Sequence, residues 1–136
     1  MEAGLVVDCS AFLPLCFADE SSPVADRMVA KIAAAGALVP AIWWYEIRNV
    51  LVVNERRGRI DAAQSDHFLH LLGQLPIAVV LDDDETGVLE LARRSQLTIY
   101  DAAYLALAES RGLPLVTLDR KLAEAARTSG VRSFGT

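Results

Sequence analysis

Four acidic residues, Asp8, Glu46, Asp101 and Asp119, have the types and the placement to hold divalent metal against a phosphodiester. Asp8 directly follows the apolar run Leu5-Val6-Val7, and Asp119 directly follows the β-rich run at residues 115–118. Glu46 falls early in the helical pattern after a second short run, and Asp101 opens a helical pattern, where the positive end of the helix dipole favours a carboxylate. Ligands of open α/β sheets bind beyond the carboxyl ends of the strands. With crossovers of the usual hand, these four strand-to-helix junctions share one sheet edge. Carboxylates gathered there repel one another, and their pKa values rise unless cations compensate. Mg²⁺ suits such a site, because it takes oxygen ligands and is held by a few carboxylates plus substrate phosphates. One or two such ions can activate a water and stabilise a leaving oxygen.

Three neighbours support the four acids. Ser10, two residues after Asp8, can hydrogen-bond a carboxylate or a metal-bound water. Asn49 lies i+3 from Glu46 on one helix face, and Thr117 precedes Asp119 by two and faces the same pocket. Taken singly, Asp8, Asp101 and Asp119 also serve as helix caps, and Glu46 as a solvated helix residue. Their joint placement is what points to a site.

The elements that must position them alternate. Strands are expected at residues 5–7, 37–40, 77–81, 115–118 and 131–134. A short irregular helix carries Pro14, and Ser22-Pro23 opens the next, with Val24, Met28, Ile32 and Ala35 along one stripe and Gly36 at its end. Helices follow at residues 43–57, stopped by Gly58, and from Ile60-Asp61, where Asp61 and Gln64 have capping-box spacing ahead of Phe68, Leu69, Leu72 and Leu75. Further helices run through Ser95 behind Asp82-Asp83-Asp84, over residues 100–111 up to Gly112, and over 120–129. Alternating strands and helices mean βαβ crossovers, hence an α/β fold with a mostly parallel sheet covered on both faces.

The chain has 136 residues, which fits one domain over residues 1–136, and its 53% hydrophobic content supplies one sizeable core. The net charge of −5 argues against gripping nucleic acid by blanket electrostatics, although four metal-binding carboxylates would account for most of the acidic surplus. Arg48, Arg56, Arg57 and Arg59 form either a phosphate-facing strip or a solvated helix end. Cys9 and Cys16 fit neither a metal spacing nor a secreted disulfide framework, and read as buried free thiols of a reducing cytosol. Residues 1–4 lack the basic start of a signal peptide, and no apolar run approaches the roughly 20 residues that span a bilayer. The expectation is a soluble, cytoplasmic protein without a membrane segment.

The segments Val6-Val7-Asp8-Cys9-Ser10-Ala11, Trp44-Tyr45-Glu46-Ile47-Arg48-Asn49-Val50-Leu51, Tyr100-Asp101-Ala102-Ala103-Tyr104-Leu105-Ala106-Leu107-Ala108 and Leu115-Val116-Thr117-Leu118-Asp119-Arg120-Lys121-Leu122 together resemble the PIN-domain ribonucleases, in particular the VapC toxins of type II toxin–antitoxin systems. The resemblance spans nearly the whole chain. It implies a three-layer α/β/α sandwich and Mg²⁺- or Mn²⁺-dependent endonucleolytic cleavage of RNA. Asp8, Glu46 and Asp101 match the family's three core acids, Asp119 its more variable fourth, Ser10 a small hydroxyl position and Asn49 a polar position on the glutamate helix. A homodimer and a cognate VapB antitoxin are also implied. Trp43, Trp44 and Tyr45 are consecutive and cannot all enter one core, so at least one reaches a groove, an interface or a second core layer.

Other features carry less. His67 and His70 share a helix face but lack a third ligand at zinc spacing, and Asp82-Asp83-Asp84 needs no role beyond capping. No G-x-x-x-x-G-K-[ST] loop occurs. A phosphatase of the haloacid-dehalogenase kind needs a second Asp where Ser10 stands. A phosphoacceptor switch needs a lysine after a late strand, and Lys121 lies two residues beyond Asp119; that reading also leaves Glu46 and Asp101 unexplained. A catalytically silent protein-binding module is the remaining alternative, and the four intact acids argue against it.

Overall fold

A computed structural model describes residues 3–20, 22–81 and 85–134. Four parallel strands, β1 (Leu5–Val7), β2 (Ala37–Pro40), β3 (Ile77–Val80) and β4 (Leu115–Val116), form one sheet in the order β3-β2-β1-β4. Around it lie α1 (Cys9–Cys16), α2 (Pro23–Ala35), α3 (Ile42–Arg56), α4 (Ala62–Gly73), α5 (Glu85–Ser95), α6 (Ile99–Arg111) and α7 (Arg120–Thr128). The path steps from β1 to β2 to β3 in one direction and then crosses back to β4. Right-handed crossovers therefore place α1 to α4 on one face and α5 to α7 on the other. On the first face α2 lies on β1, and α1 packs against α2, α3 and α4; on the second, α6 crosses β1, β2 and β4 and carries α5 and α7. This is the expected three-layer α/β/α sandwich. Leu5, Val6 and Val7 have no exposed surface, as a strand covered on both faces requires.

Local signals act where the sequence places them. Ser22 Oγ accepts the Ala25 N–H ahead of Pro23, and Asp61 and Gln64 exchange both capping-box bonds. Gly36 ends α2 with φ of 79°, a conformation open to glycine and strained for any other residue. In α2 the buried stripe is Ala25, Met28 and Ile32, with Val24 and Ala35 half-buried; in α4 Phe68 and Leu72 are buried beneath half-buried Leu69.

Three strand expectations need correction. β4 stops at Val116 instead of residue 118, because the next N–H groups leave the ladder: Leu118 N–H donates to Ser10 Oγ and Asp119 N–H to Thr117 Oγ1. The last strand, expected at 131–134, is reduced to a single parallel bridge between Ser133 and Leu115. β3 stops at Val80 and is an edge strand whose Ala78 and Val79 are exposed, so the helix layers do not cover the sheet completely. The Asp82-Asp83-Asp84 cap ahead of α5 lies outside the described residues. Among the described residues no helix is long and apolar enough to cross a membrane.

Candidate active site

The strand order reverses between β1 and β4, and the carboxyl ends of these strands form the crevice where doubly wound sheets take ligands. Asp8 sits at the end of β1, 5% exposed, and its N–H donates to Val116 O at 2.9 Å, tying it to β4. Its Oδ2 accepts Ser10 Oγ at 2.6 Å and Thr117 Oγ1 at 2.8 Å. Each hydroxyl in turn accepts a backbone N–H, from Leu118 at 2.9 Å and from Asp119 at 3.0 Å, which aims its own proton at Asp8. Asp8 occupies the N-cap position of α1 yet makes no side-chain capping bond, so its oxygens serve the crevice and not the helix.

α3 and α6 bring two more acids. Glu46, half-buried in the second turn of α3, accepts a hydrogen bond from the Tyr104 hydroxyl at 2.5 Å. Tyr104 is fully buried. It received no role from the sequence, although its i+3 spacing from Asp101 already put the two on one face of α6. Asp101 is not the N-cap of its helix. Thr98 is, its Oγ1 accepting the Asp101 N–H at 3.1 Å, so the Asp101 carboxylate stands in the first turn without capping duty. Asp119 does cap: its Oδ1 accepts the N–H groups of Lys121 at 2.9 Å and Leu122 at 3.1 Å at the start of α7.

The four acids form one electrostatic cluster. Burial holds the Asp8 carboxyl above its usual range against the Ser10 and Thr117 hydrogen bonds, and the Asp119 charge adds to the rise. Glu46 is raised by burial, opposed by the Tyr104 bond and reinforced by the charges of Asp8 and Asp101. Asp101 is raised by burial and by Asp119 and Asp8, against the Thr98 hydrogen bond and the Lys121 charge. The same field reaches Cys9, whose buried thiol is pushed up to about 12 by burial first and then by Glu46 and Asp8. Neither cysteine is in a disulfide, and Cys9 is buried while Cys16 is only half-buried.

Neutral hydroxyls orient Asp8 and Glu46, backbone N–H groups hold Asp119, and among the described residues none of the four acids is in an ion pair. Such a set is aligned without being neutralised, which suits a hard cation. Among the described residues no three carboxylate, imidazole or thiol groups meet closely enough to enclose an ion unaided. The fit is therefore to a cation that keeps waters and takes further oxygens from substrate.

Several expectations fall elsewhere. Asn49 is exposed one helical turn from Glu46 and makes none of the bonds in the cluster. Of the arginine strip, Arg59 is ion-paired with Asp19 and Glu20, Arg48 stacks on the Trp44 ring, and Arg56 and Arg57 lie at the far end of α3, about 15 Å along the axis from Glu46. Trp43 is buried against Phe12, whereas Trp44 and Tyr45 are exposed. His67 and His70 are exposed, with His70 Nε2 against the Gln74 amide.

Comparison with known proteins agrees with this fold. The PIN domain family matches residues 5–128. Ribonuclease VapC3 of Pyrobaculum aerophilum is 38% identical over 127 residues, covering 88% of this chain and 92% of its own length. Exonuclease VapC9 of the same organism is 44% identical over 87 residues, 63% of this chain and 62% of its own. The crystal structure of PAE2754 from Pyrobaculum aerophilum superposes with a TM-score of 0.70 at 34% identity, covering 92% of this chain and 87% of that one. With its fold, its four acids and its nearly full-length match, the chain belongs to the PIN-domain family and, within it, to the VapC proteins.

Proposed function

We propose that this chain is the toxin of a VapBC pair, an endoribonuclease that uses Mg²⁺ or Mn²⁺ held by Asp8, Glu46, Asp101 and Asp119. One observation carries the reading: mutually repelling carboxylates at the sheet's switch point, of which Asp8 and Glu46 are aligned by hydroxyls and, among the described residues, none is ion-paired with a basic side chain. The name Ribonuclease VapC3 borne by a relative of nearly the same length supports RNA as substrate. The name exonuclease borne by a second relative poses the alternative of cutting from an end. An internal cut is favoured because Glu46, Asp101 and Asp119 are only half-buried at an open sheet edge, where a strand can pass without presenting an end.

A divalent cation bound there would supply the charge that activates water and neutralises the leaving oxygen. The chain's own residues do the rest. Asp8, buried and held by two hydroxyls, is the rigid anchor; Tyr104 fixes Glu46, and Asp101 adds its charge to both from α6. Asp119 commits one oxygen to its cap and contributes charge beside Asp101. Asn49 is placed to meet substrate, one turn along α3 from Glu46. We further propose that residues 1–136 form a single PIN domain acting in the cytoplasm as a homodimer. Exposed Trp44, Tyr45, Leu89, Ile99 and Tyr100 offer apolar surface for a second copy or a VapB-type antitoxin to cover.

Antitoxin-free protein should cut a circular RNA with Mg²⁺ or Mn²⁺, chelator should abolish cutting, and Asp8→Ala and Asp101→Ala should each reduce it by roughly a hundredfold or more. Activity that survives both substitutions overturns the assigned site. Cutting of linear but not circular RNA overturns the internal cut. Light scattering of the purified chain, alone and with the product of the adjacent reading frame, checks the dimer and the antitoxin.

A further inference from the structure

We propose that the cleft between α7 and the C-terminal parts of α5 and α6 carries the backbone of single-stranded RNA beside the acidic cluster; this rests on the nuclease reading above. The cleft, about 760 Å³, is lined by Arg94, Ser95, Glu109, Arg120, Lys121 and Glu124 among others.

Its charges are sorted along its length. Arg120 and Lys121 directly follow Asp119, and Lys121 lies close enough to Asp101 to favour its charged form. Arg94 lies four residues before Thr98, the cap of α6. The cationic end therefore adjoins the four acids. Glu109 stands eight residues beyond Asp101, about 12 Å down α6, and Glu124 is engaged by Arg127. Among the described residues Arg94, Arg120 and Lys121 are in no ion pair, unlike Arg59 and Arg127.

The fold itself gains little from this arrangement. Arg120 and Lys121 occupy the first turn of α7, where the helix dipole disfavours positive charge. A polyanion approaching four carboxylates needs compensating charge beside them, and these three side chains supply it. The arginines along and just after α3 that the sequence named do not, being paired (Arg59), stacked on Trp44 (Arg48) or remote (Arg56 and Arg57).

The test measures binding of a fluorescein-labelled, mixed-sequence single-stranded RNA to the whole chain in chelator, across a salt series. Neutralising three phosphate contacts contributes about 0.7 each to the slope of log affinity against log salt on single strands. The combined Arg94→Gln, Arg120→Gln and Lys121→Gln variant should thus bind more weakly at low salt, with a slope shallower by about 2 and an undiminished Tm. Arg56→Gln with Arg57→Gln should leave affinity and slope unchanged. Wild-type affinity in the triple variant, or an equal loss in the α3 pair, overturns the cleft. So does a triple variant that keeps RNA but loses the antitoxin, which would make this face a protein surface. Cleavage by the wild type with Mn²⁺ is read in parallel. No cleavage but a charge-dependent slope would refute the nuclease reading and leave the RNA track, whereas cleavage with an unchanged slope would refute the track alone.

Discussion

At the scale of single residues, the crevice is built from short oxygen-to-oxygen bonds that leave its negative charge in place. Asp8 receives two hydroxyls, each itself held by a backbone N–H, so its carboxylate cannot rotate without breaking two bonds to partners that are fixed in turn. Tyr104 does the same for Glu46 with one bond from a side chain that has no freedom of its own. Tyr104→Phe removes that bond and keeps the ring. Cleavage should fall about tenfold or more, and the Mn²⁺ concentration for half-maximal activity should rise, as happens when the group orienting a metal ligand is lost. Stability should change by no more than about 1 kcal/mol, because water can replace the hydroxyl at half-buried Glu46. Manganese titration of cleavage beside a denaturant melt checks both, and an unchanged manganese requirement would strip Tyr104 of its positioning role. Cys9, pushed up to about 12, is a neutral thiol near neutral pH. It should be alkylated slowly at pH 8 in the folded protein and rapidly after unfolding, as peptide mass spectrometry can follow.

At the scale of elements, α6 does most to assemble the site. It crosses three of the four strands and presents Asp101 and Tyr104, i and i+3, to residues of β1 and α3. Its first turn is fixed by Thr98, so Thr98→Ala should cost about 1 kcal/mol in urea unfolding and lower cleavage through the neighbouring Asp101. On the opposite face Ser65 donates to Glu55 at 2.6 Å from within the core, locking α4 onto α3. Gly36 sets the register of β2 against α2. With φ of 79° and ψ of 166°, and with an added Cβ only 3.3 Å from Pro76 O, Gly36→Ala should destabilise by about 2 kcal/mol in the same assay.

At the scale of the whole molecule, the site is a store of electrostatic strain. Asp8, Glu46 and Asp101 are all held above the ordinary carboxylate range. The folded chain therefore binds more protons than the unfolded one in a window that starts near pH 4 and extends up through the raised values. The stability contributed by these groups is complete below that window and lost as pH rises through it. Metal-free Asp101→Asn should consequently gain a few degrees of Tm over the wild type at pH 7 and much less at pH 4. Divalent cation should raise the wild-type Tm more at pH 7 than at pH 5, because it binds ionised carboxylates. Differential scanning fluorimetry in chelator and in Mn²⁺ checks both, and a wild type that matches Asp101→Asn at every pH would contradict the strained cluster.

Much was legible in the chain alone because the relevant signals are local. Short β-rich runs, the Ser22-Pro23 and Asp61-x-x-Gln64 caps and the glycine stops are properties of a few consecutive residues, and they placed the strand-to-helix junctions that carry Asp8, Glu46 and Asp119; Asp101 instead opens a helix that follows α5 and not a strand. What tertiary structure alone decided is which atoms meet across the sheet. Thr117 reaches Asp8 over a separation of 109 residues, and Tyr104 reaches Glu46 over 58, contacts that no periodicity encodes. Thr98, not Asp101, caps α6, since Ser, Thr and Asp compete for the same N–H groups and local spacing does not choose between them. The last strand shrank to one bridge, and β4 ended early when side-chain oxygens took its N–H groups, because pairing depends on partners elsewhere in the chain. The arginines followed the same logic. Those gathered in sequence along and just after α3 are ion-paired, stacked on Trp44 or remote from the acids, whereas Arg94 and the Arg120-Lys121 pair, 26 residues apart in sequence, line one cleft.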